Sequence, residues 1–152
     1  MSPLAYTEQR SQLTLREALA EYYRSNPDLL DPVGMPEDAA KFFRQHDVAH
    51  VIFGCDTSLA GEVRADMWTI CGASVGLRGY IEYLKFPQVK DTFEGVGYWE
   101  ITVASVRALP DVGRIFLRSR KMSRPWPWDG YEPFLDRTLC DVRDEYGVQV
   151  LE

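Results

Sequence analysis

From Pro36 to Gly54 the chain reads PEDAAKFFRQHDVAHVIFG. Both ends carry helix signals. Pro36 suits the first turn, Glu37 and Asp38 complement the positive end of the helix dipole, and Gly54 suits the stop. Phe42, Phe43, Ala49, Ile52 and Phe53 supply an apolar surface that other elements must cover. A helix of this length, in a chain of only 152 residues, fixes the scale of the fold. The same stretch holds His46 and His50, the only two histidines of the chain.

The remaining segments also read as helices. Thr14 caps TLREALAEYYRSN, and Glu17 completes a capping box. NPDLLDPVGMP is a loop by its prolines and glycine. Asp56, Thr57 or Ser58 caps a third helix, SLAGEVRADMWTICGASVG. LRGYIEYLKF follows and stops at Pro87. Gly97 to Leu109 reads as helix, with its valines and isoleucine leaving a strand open. Pro110 interrupts it before DVGRIFLRSRKM. SRPWPWDGYEP is a rigid connector. The C-terminal amphipathic helix spans about 133–146, with Leu135, Leu139 and Val142 inward and Gly147 as its stop. The expectation is a single all-α domain over 1–152 with six to seven helices, residues 1–13 a flexible or extended lead, and the site helices within about 36–76.

The net charge of -6 argues against a general nucleic-acid binder, which carries a basic surface. The cysteines, Cys55, Cys71 and Cys140, are odd in number and far apart. They make neither a disulfide framework nor a cysteine zinc site. No segment reads as a membrane span, signal or transit peptide, so the expected location is cytoplasmic.

On a helix, residues four apart lie about 40° apart around the axis, so His46 and His50 face one way. Asp47 falls within about 100° of the pair. Glu62 can return from the third helix, because the turn from Gly54 to Ser58 reverses the chain. Two imidazoles with one or two carboxylates suit zinc, and would also hold iron, manganese, cobalt or magnesium. Against that stands the plainer reading of an i,i+4 histidine pair that is structural, with Asp47 paired to Arg44. A phosphohydrolase of the HD type would need further histidines, and a zincin protease would need glutamate at position 47.

HDVAH, eleven residues, then Glu62 resembles the HDxxH-x11-E signature of the coenzyme Q (ubiquinone) biosynthesis protein 4 family. Gly54, Thr57 and Gly61 agree, as do Tyr131, Glu132, Leu139, Val142, Arg143, Glu145 and Gly147 near the C-terminus. The resemblance covers about residues 36–148. The chain departs from the pattern in three places. It is short at its N-terminus, Phe43 stands where an arginine is expected, and Asp66 and Met67 occupy the region of a common lysine. The resemblance implies a helical fold and a divalent metal, usually zinc, held by His46, Asp47, His50 and Glu62, which are also the implied catalytic residues. It implies oxidative C1 decarboxylation of a polyprenylated 4-hydroxybenzoate in ubiquinone biosynthesis, beside the other pathway enzymes at a peripheral membrane surface. A homodimer and a non-catalytic role as a prenyl-lipid-binding scaffold both fit it.

An isoprenoid tail would need apolar walls. Phe42, Phe43, Phe53, Trp68 and Ala73, with Ile52, Ile70 and Leu77, are the candidates, or else simply core. Arg114, Arg118, Lys121 and Arg124, followed by Trp126 and Trp128, suit an anionic membrane surface or head group.

Overall fold

The computed structural model describes residues 4–29 and 31–151, and all side chains in that range except those at 92, 93 and 98. Among the described residues it contains eight α-helices and no strand beyond two isolated bridges. The all-α expectation holds, with at least one helix more than the sequence reading counted.

Helix α1 (Leu15–Ser25) opens on the capping box read from Thr14 and Glu17: the Thr14 hydroxyl accepts from the Glu17 amide, and the Glu17 carboxylate accepts from the Thr14 amide. Helix α2 (Glu37–Phe53) ends at Gly54, whose left-handed φ of 67° lets its amide reach back to the carbonyls of His50 and Val51. Ser58 caps α3 (Leu59–Gly72). α2 lies between α1 and α3, while α3 also packs on α4 (Gly76–Tyr83), α6 (Tyr98–Arg107) and α7 (Leu109–Ser119).

Two boundaries differ from the sequence reading for reasons visible in the packing. α3 stops at Gly72, because Ala73 turns extended and pairs with Trp126; the Trp126 amide donates to the Gly72 carbonyl and the Ser74 amide to the Trp126 carbonyl. The C-terminal helix α8 (Leu139–Tyr146) begins six residues later than position 133, since Thr138 caps it and Glu132–Phe134 forms a separate tight turn. One helix went unread. The segment expected to run to Pro87 ends as a helix already at Tyr83, and Pro87 instead starts α5 (Pro87–Val96), a role its fixed φ allows.

The described part of the lead is not fully extended but folds onto the helices. Ala5–Thr7 forms a 3-10 turn, Tyr6 is wholly buried, and the Glu21 carboxylate accepts from the amides of Ala5 and Tyr6. Arg143 of α8 ties this lead to α2. Its buried guanidinium donates to the carbonyls of Tyr6, Glu8, Val51 and Ile52.

The aromatic residues considered for lipid or membrane contact are core. Phe53 and Trp68 stack at 4.7 Å with planes 3° apart, and Phe42 stacks on Tyr83 at 4.5 Å. Trp126 and Trp128 are 1% and 2% exposed, so neither tryptophan reaches a membrane surface. Ala73 is buried too, and Phe43 is half-buried against the core.

Candidate metal centre

The α2–turn–α3 hairpin builds the site. Asp56 stands midway in sequence between His50 and Glu62, and also midway between His46 and Asp66. An antiparallel pair of helices turning there sets each histidine against an acid. His50 Nε2 lies 3.2 Å from Glu62 Oε2, and His46 Nε2 lies 3.2 Å from Asp66 Oδ1. One ligand atom from each of His46, His50 and Glu62 lies within 4.8 Å of the other two.

The tautomer of His50 follows from its neighbour. Its Nδ1 is 3.2 Å from the Cys55 carbonyl oxygen, which can only accept, so Nδ1 carries the hydrogen and donates. In the neutral ring Nε2 is then a lone pair aimed at the carboxylate of Glu62. Two acceptors 3.2 Å apart need a cation between them, either a proton or a metal ion. A backbone carbonyl on the far nitrogen is also how proteins orient histidines that ligate metals. The residues therefore fit a divalent ion. The His50 side chain is fully buried, His46 is 15% exposed and Glu62 38%, so the centre opens on the Glu62 side.

Asp47 does not join this group. It lies about 100° around the helix from His46, which turns it toward α1. There it accepts hydrogen bonds from Tyr23 at 3.0 Å and Tyr22 at 3.3 Å. The sequence reading placed Asp47 among the ligands; in the structure it is a half-buried partner of two phenols. Burial raises its pKa against the pull of His46 and the two hydroxyls. Asp66, which the sequence reading named only as a departure from the family pattern, is the residue it missed.

The charges around the histidines are coupled. Burial alone would lower the pKa of His46, but Asp66, with Glu62 and Asp47 behind it, overcomes this and raises it to about 9. Burial would raise Glu62, but His50 and His46 outweigh it and hold the carboxyl below its ordinary value. Burial, and then Asp66, raises the Tyr80 phenol.

Two results are expected from this arrangement. The folded pKa of His46 exceeds that of a free histidine, so its protonation stabilises the metal-free fold fully below about pH 6.5, and that contribution is lost as the pH rises through about 9. Thermal melts of metal-free protein across that window should show falling stability, less so in His46→Gln. Metal-loaded protein, with a cation already in place of the proton, should not show the fall. A flat profile for the metal-free protein would contradict this account.

The second result concerns Gly61, beside Glu62. Ala normally favours a helix over Gly by about 1 kcal/mol. Here an added Cβ would meet both the carbonyl and a carboxylate oxygen of Asp56 at 2.1 Å. The turn would have to shift, so Gly61→Ala should destabilise by about 2 kcal/mol and weaken metal binding. Denaturant melts with metal titration measure both.

The basic run is largely engaged in the fold. Arg118 donates to the Gln149 and Val150 carbonyls, Arg124 pairs with Glu145 and stacks on Tyr146, and Arg114 pairs with Asp111 at 3.2 Å. Lys121 is exposed. Cys55, Cys71 and Cys140 are free thiols. Among the described residues no helix is long and apolar enough to cross a membrane.

The fold and site together define an all-α protein with a three-residue group able to hold a metal ion. Compared with protein-family models, curated proteins and solved structures, the chain finds no match.

Proposed function

We propose that the chain is a divalent-metal protein of the coenzyme Q biosynthesis protein 4 type. Its ion is held by His46, His50 and Glu62, with Asp66 orienting His46. The observation that carries the metal is the pair of facing acceptors, His50 Nε2 and Glu62 Oε2, set by the Cys55 carbonyl. The type of reaction rests on the resemblance of HDVAH, Glu62 and the C-terminal pattern, and not on the geometry.

In this reading the substrate is a polyprenylated 4-hydroxybenzoate, which loses its C1 carboxylate as carbon dioxide and gains a hydroxyl, a net two-electron oxidation for which dioxygen is the oxidant. His46, His50 and Glu62 would hold the divalent ion, which when bound would supply Lewis-acid polarisation of a substrate carboxylate or phenolate oxygen. Glu62 stays anionic, as ligand or as proton acceptor. The burial of His50 keeps water from one side of the centre. Zinc suits two nitrogens and a carboxylate best, with iron, manganese, cobalt and magnesium as the alternatives.

The test is release of carbon dioxide from a carboxyl-labelled prenylated hydroxybenzoate, in air, by metal-loaded protein without partner enzymes. Conversion by the wild type and none by Glu62→Ala supports the enzyme.

The packing gives neither the enzyme nor the scaffold reading a tail groove at the residues first considered. Phe42, Phe53, Trp68 and Ala73, the proposed tail walls, are packed in the core. If the metal-loaded protein co-purifies with prenyl lipid but converts none, the metal serves the fold and the chain presents precursors to other enzymes.

A further inference from the structure

The amino-terminal lead reaches the buried side of the metal centre through one side chain. His50 Nδ1 donates to the Cys55 carbonyl at 3.2 Å, and the same oxygen takes a second donor, the Tyr6 hydroxyl, at 3.3 Å. Both lone pairs of that carbonyl are thereby used. The Cys55 amide in turn donates to the His50 carbonyl at 2.8 Å, so both sides of Cys55 are tied to His50. Tyr6 is wholly buried, and burial raises its phenol further above neutral pH, so the hydroxyl keeps its proton and donates. The Tyr6 ring meets Tyr22 edge-on at 5.8 Å, and the Tyr22 ring lies 5.5 Å from that of His50.

The backbone around Tyr6 is anchored without the hydroxyl. The Glu21 carboxylate accepts the Tyr6 amide at 2.9 Å, and Arg143 donates to the Tyr6 carbonyl at 2.6 Å. The Thr7 carbonyl lies against Gly54, 3.1 Å from where a Cβ would stand. Removing the hydroxyl alone would leave the ring and these anchors in place, and the Cys55 carbonyl would still accept from His50. The lead therefore does not depend on the hydroxyl for its fold. What the hydroxyl holds is the acceptor that orients His50.

We propose that Tyr6 is a positioning residue of the metal centre: its hydroxyl fixes the Cys55 carbonyl, the carbonyl sets the His50 ring, and the ring points Nε2 at Glu62. The proposal rests on the metal reading above. A carbonyl held by His50 alone can tilt together with the imidazole. Held by two donors, one from the lead and one from α2, it gives the ring a fixed reference. The partners behind metal-ligating histidines alter metal affinity by about 10–100-fold, and Tyr6, one contact further out, belongs at the lower end of that range.

The test is zinc affinity by competition with a chromogenic chelator, together with the visible absorption of cobalt(II)-loaded protein, which reports ligand geometry. Tyr6→Phe should keep its circular-dichroism spectrum and its capacity for one ion per chain, while zinc affinity falls about tenfold and the cobalt bands shift. Val89→Ala, a core truncation on α5, should lower the melting temperature and change neither reading, which separates positioning from a general loss of stability. Unchanged affinity and cobalt bands in Tyr6→Phe overturn the proposal and leave the metal centre standing. So does a weakening that Val89→Ala reproduces. Wild-type protein that takes up neither zinc nor cobalt overturns the metal reading and this proposal with it.

Discussion

Replacing Arg143 with Ala should cost about 4 kcal/mol or more, near half the stability of an ordinary domain. The guanidinium is wholly buried and donates to four main-chain carbonyls. Two belong to the last turn of α2, at Val51 and Ile52, and two to the lead, at Tyr6 and Glu8. Those α2 carbonyls lack a further helical turn to donate to them. Without Arg143 the Tyr6 and Ile52 carbonyls are stranded in the core, while Val51 keeps the Gly54 amide and Glu8 the Ser11 amide; a stranded acceptor costs about 1–3 kcal/mol, more when the lost donor is ionised. Burial lowers the arginine's pKa to about 10, so it remains a cation at neutral pH. Arg143→Lys keeps the charge but not the planar fork, and should recover less than half of the loss. Denaturant melts of the three proteins measure this. A loss under about 1 kcal/mol, the size of one ordinary hydrogen bond, would mean that the lead and α2 are held some other way.

The same residue shows where sequence reading reached and where it stopped. Arg143 was legible as part of a terminal pattern, but nothing in the sequence says that its partners are carbonyls 91, 92, 135 and 137 positions away. α1 and α2 were legible because their signals are local: a capping box, first-turn acids and a stop glycine. The end of α3 was not, since Ala73 leaves the helix to pair with Trp126 from a distant connector. Trp126 and Trp128 follow a basic run and so looked like membrane residues; what buries them is Phe134, Tyr146, Phe42 and Tyr83. Asp66 was within reach. It is four residues beyond Glu62 on the same helix face, as His50 is beyond His46, and the facing pairs His50–Glu62 and His46–Asp66 are both centred on Asp56. Asp47 misled because adjacency in sequence turns a side chain by about 100° on a helix, here onto Tyr22 and Tyr23.

His50→Ala should abolish metal binding while keeping the fold. His50 is the one member of the group with both nitrogens committed, Nδ1 to the Cys55 carbonyl and Nε2 to Glu62. Removing it leaves His46 and Glu62, too few to hold an ion against water. The cavity costs about 1–3 kcal/mol, within what a domain tolerates. Loss of metal should also remove the stabilisation that a bound ion confers, which grows as the logarithm of its concentration over its dissociation constant. Asp47→Asn, by contrast, should leave the metal in place and disturb only the tyrosine contacts. The ligand set is thus defined by which substitution empties the centre.

Elemental analysis of the purified wild type beside His50→Ala and Asp47→Asn, each checked for folding by circular dichroism, tests this directly. The account predicts close to one divalent ion per chain in the wild type and in Asp47→Asn, and none in His50→Ala. Wild-type protein that takes up no metal after reconstitution, or a His50→Ala variant that keeps it, would contradict the account.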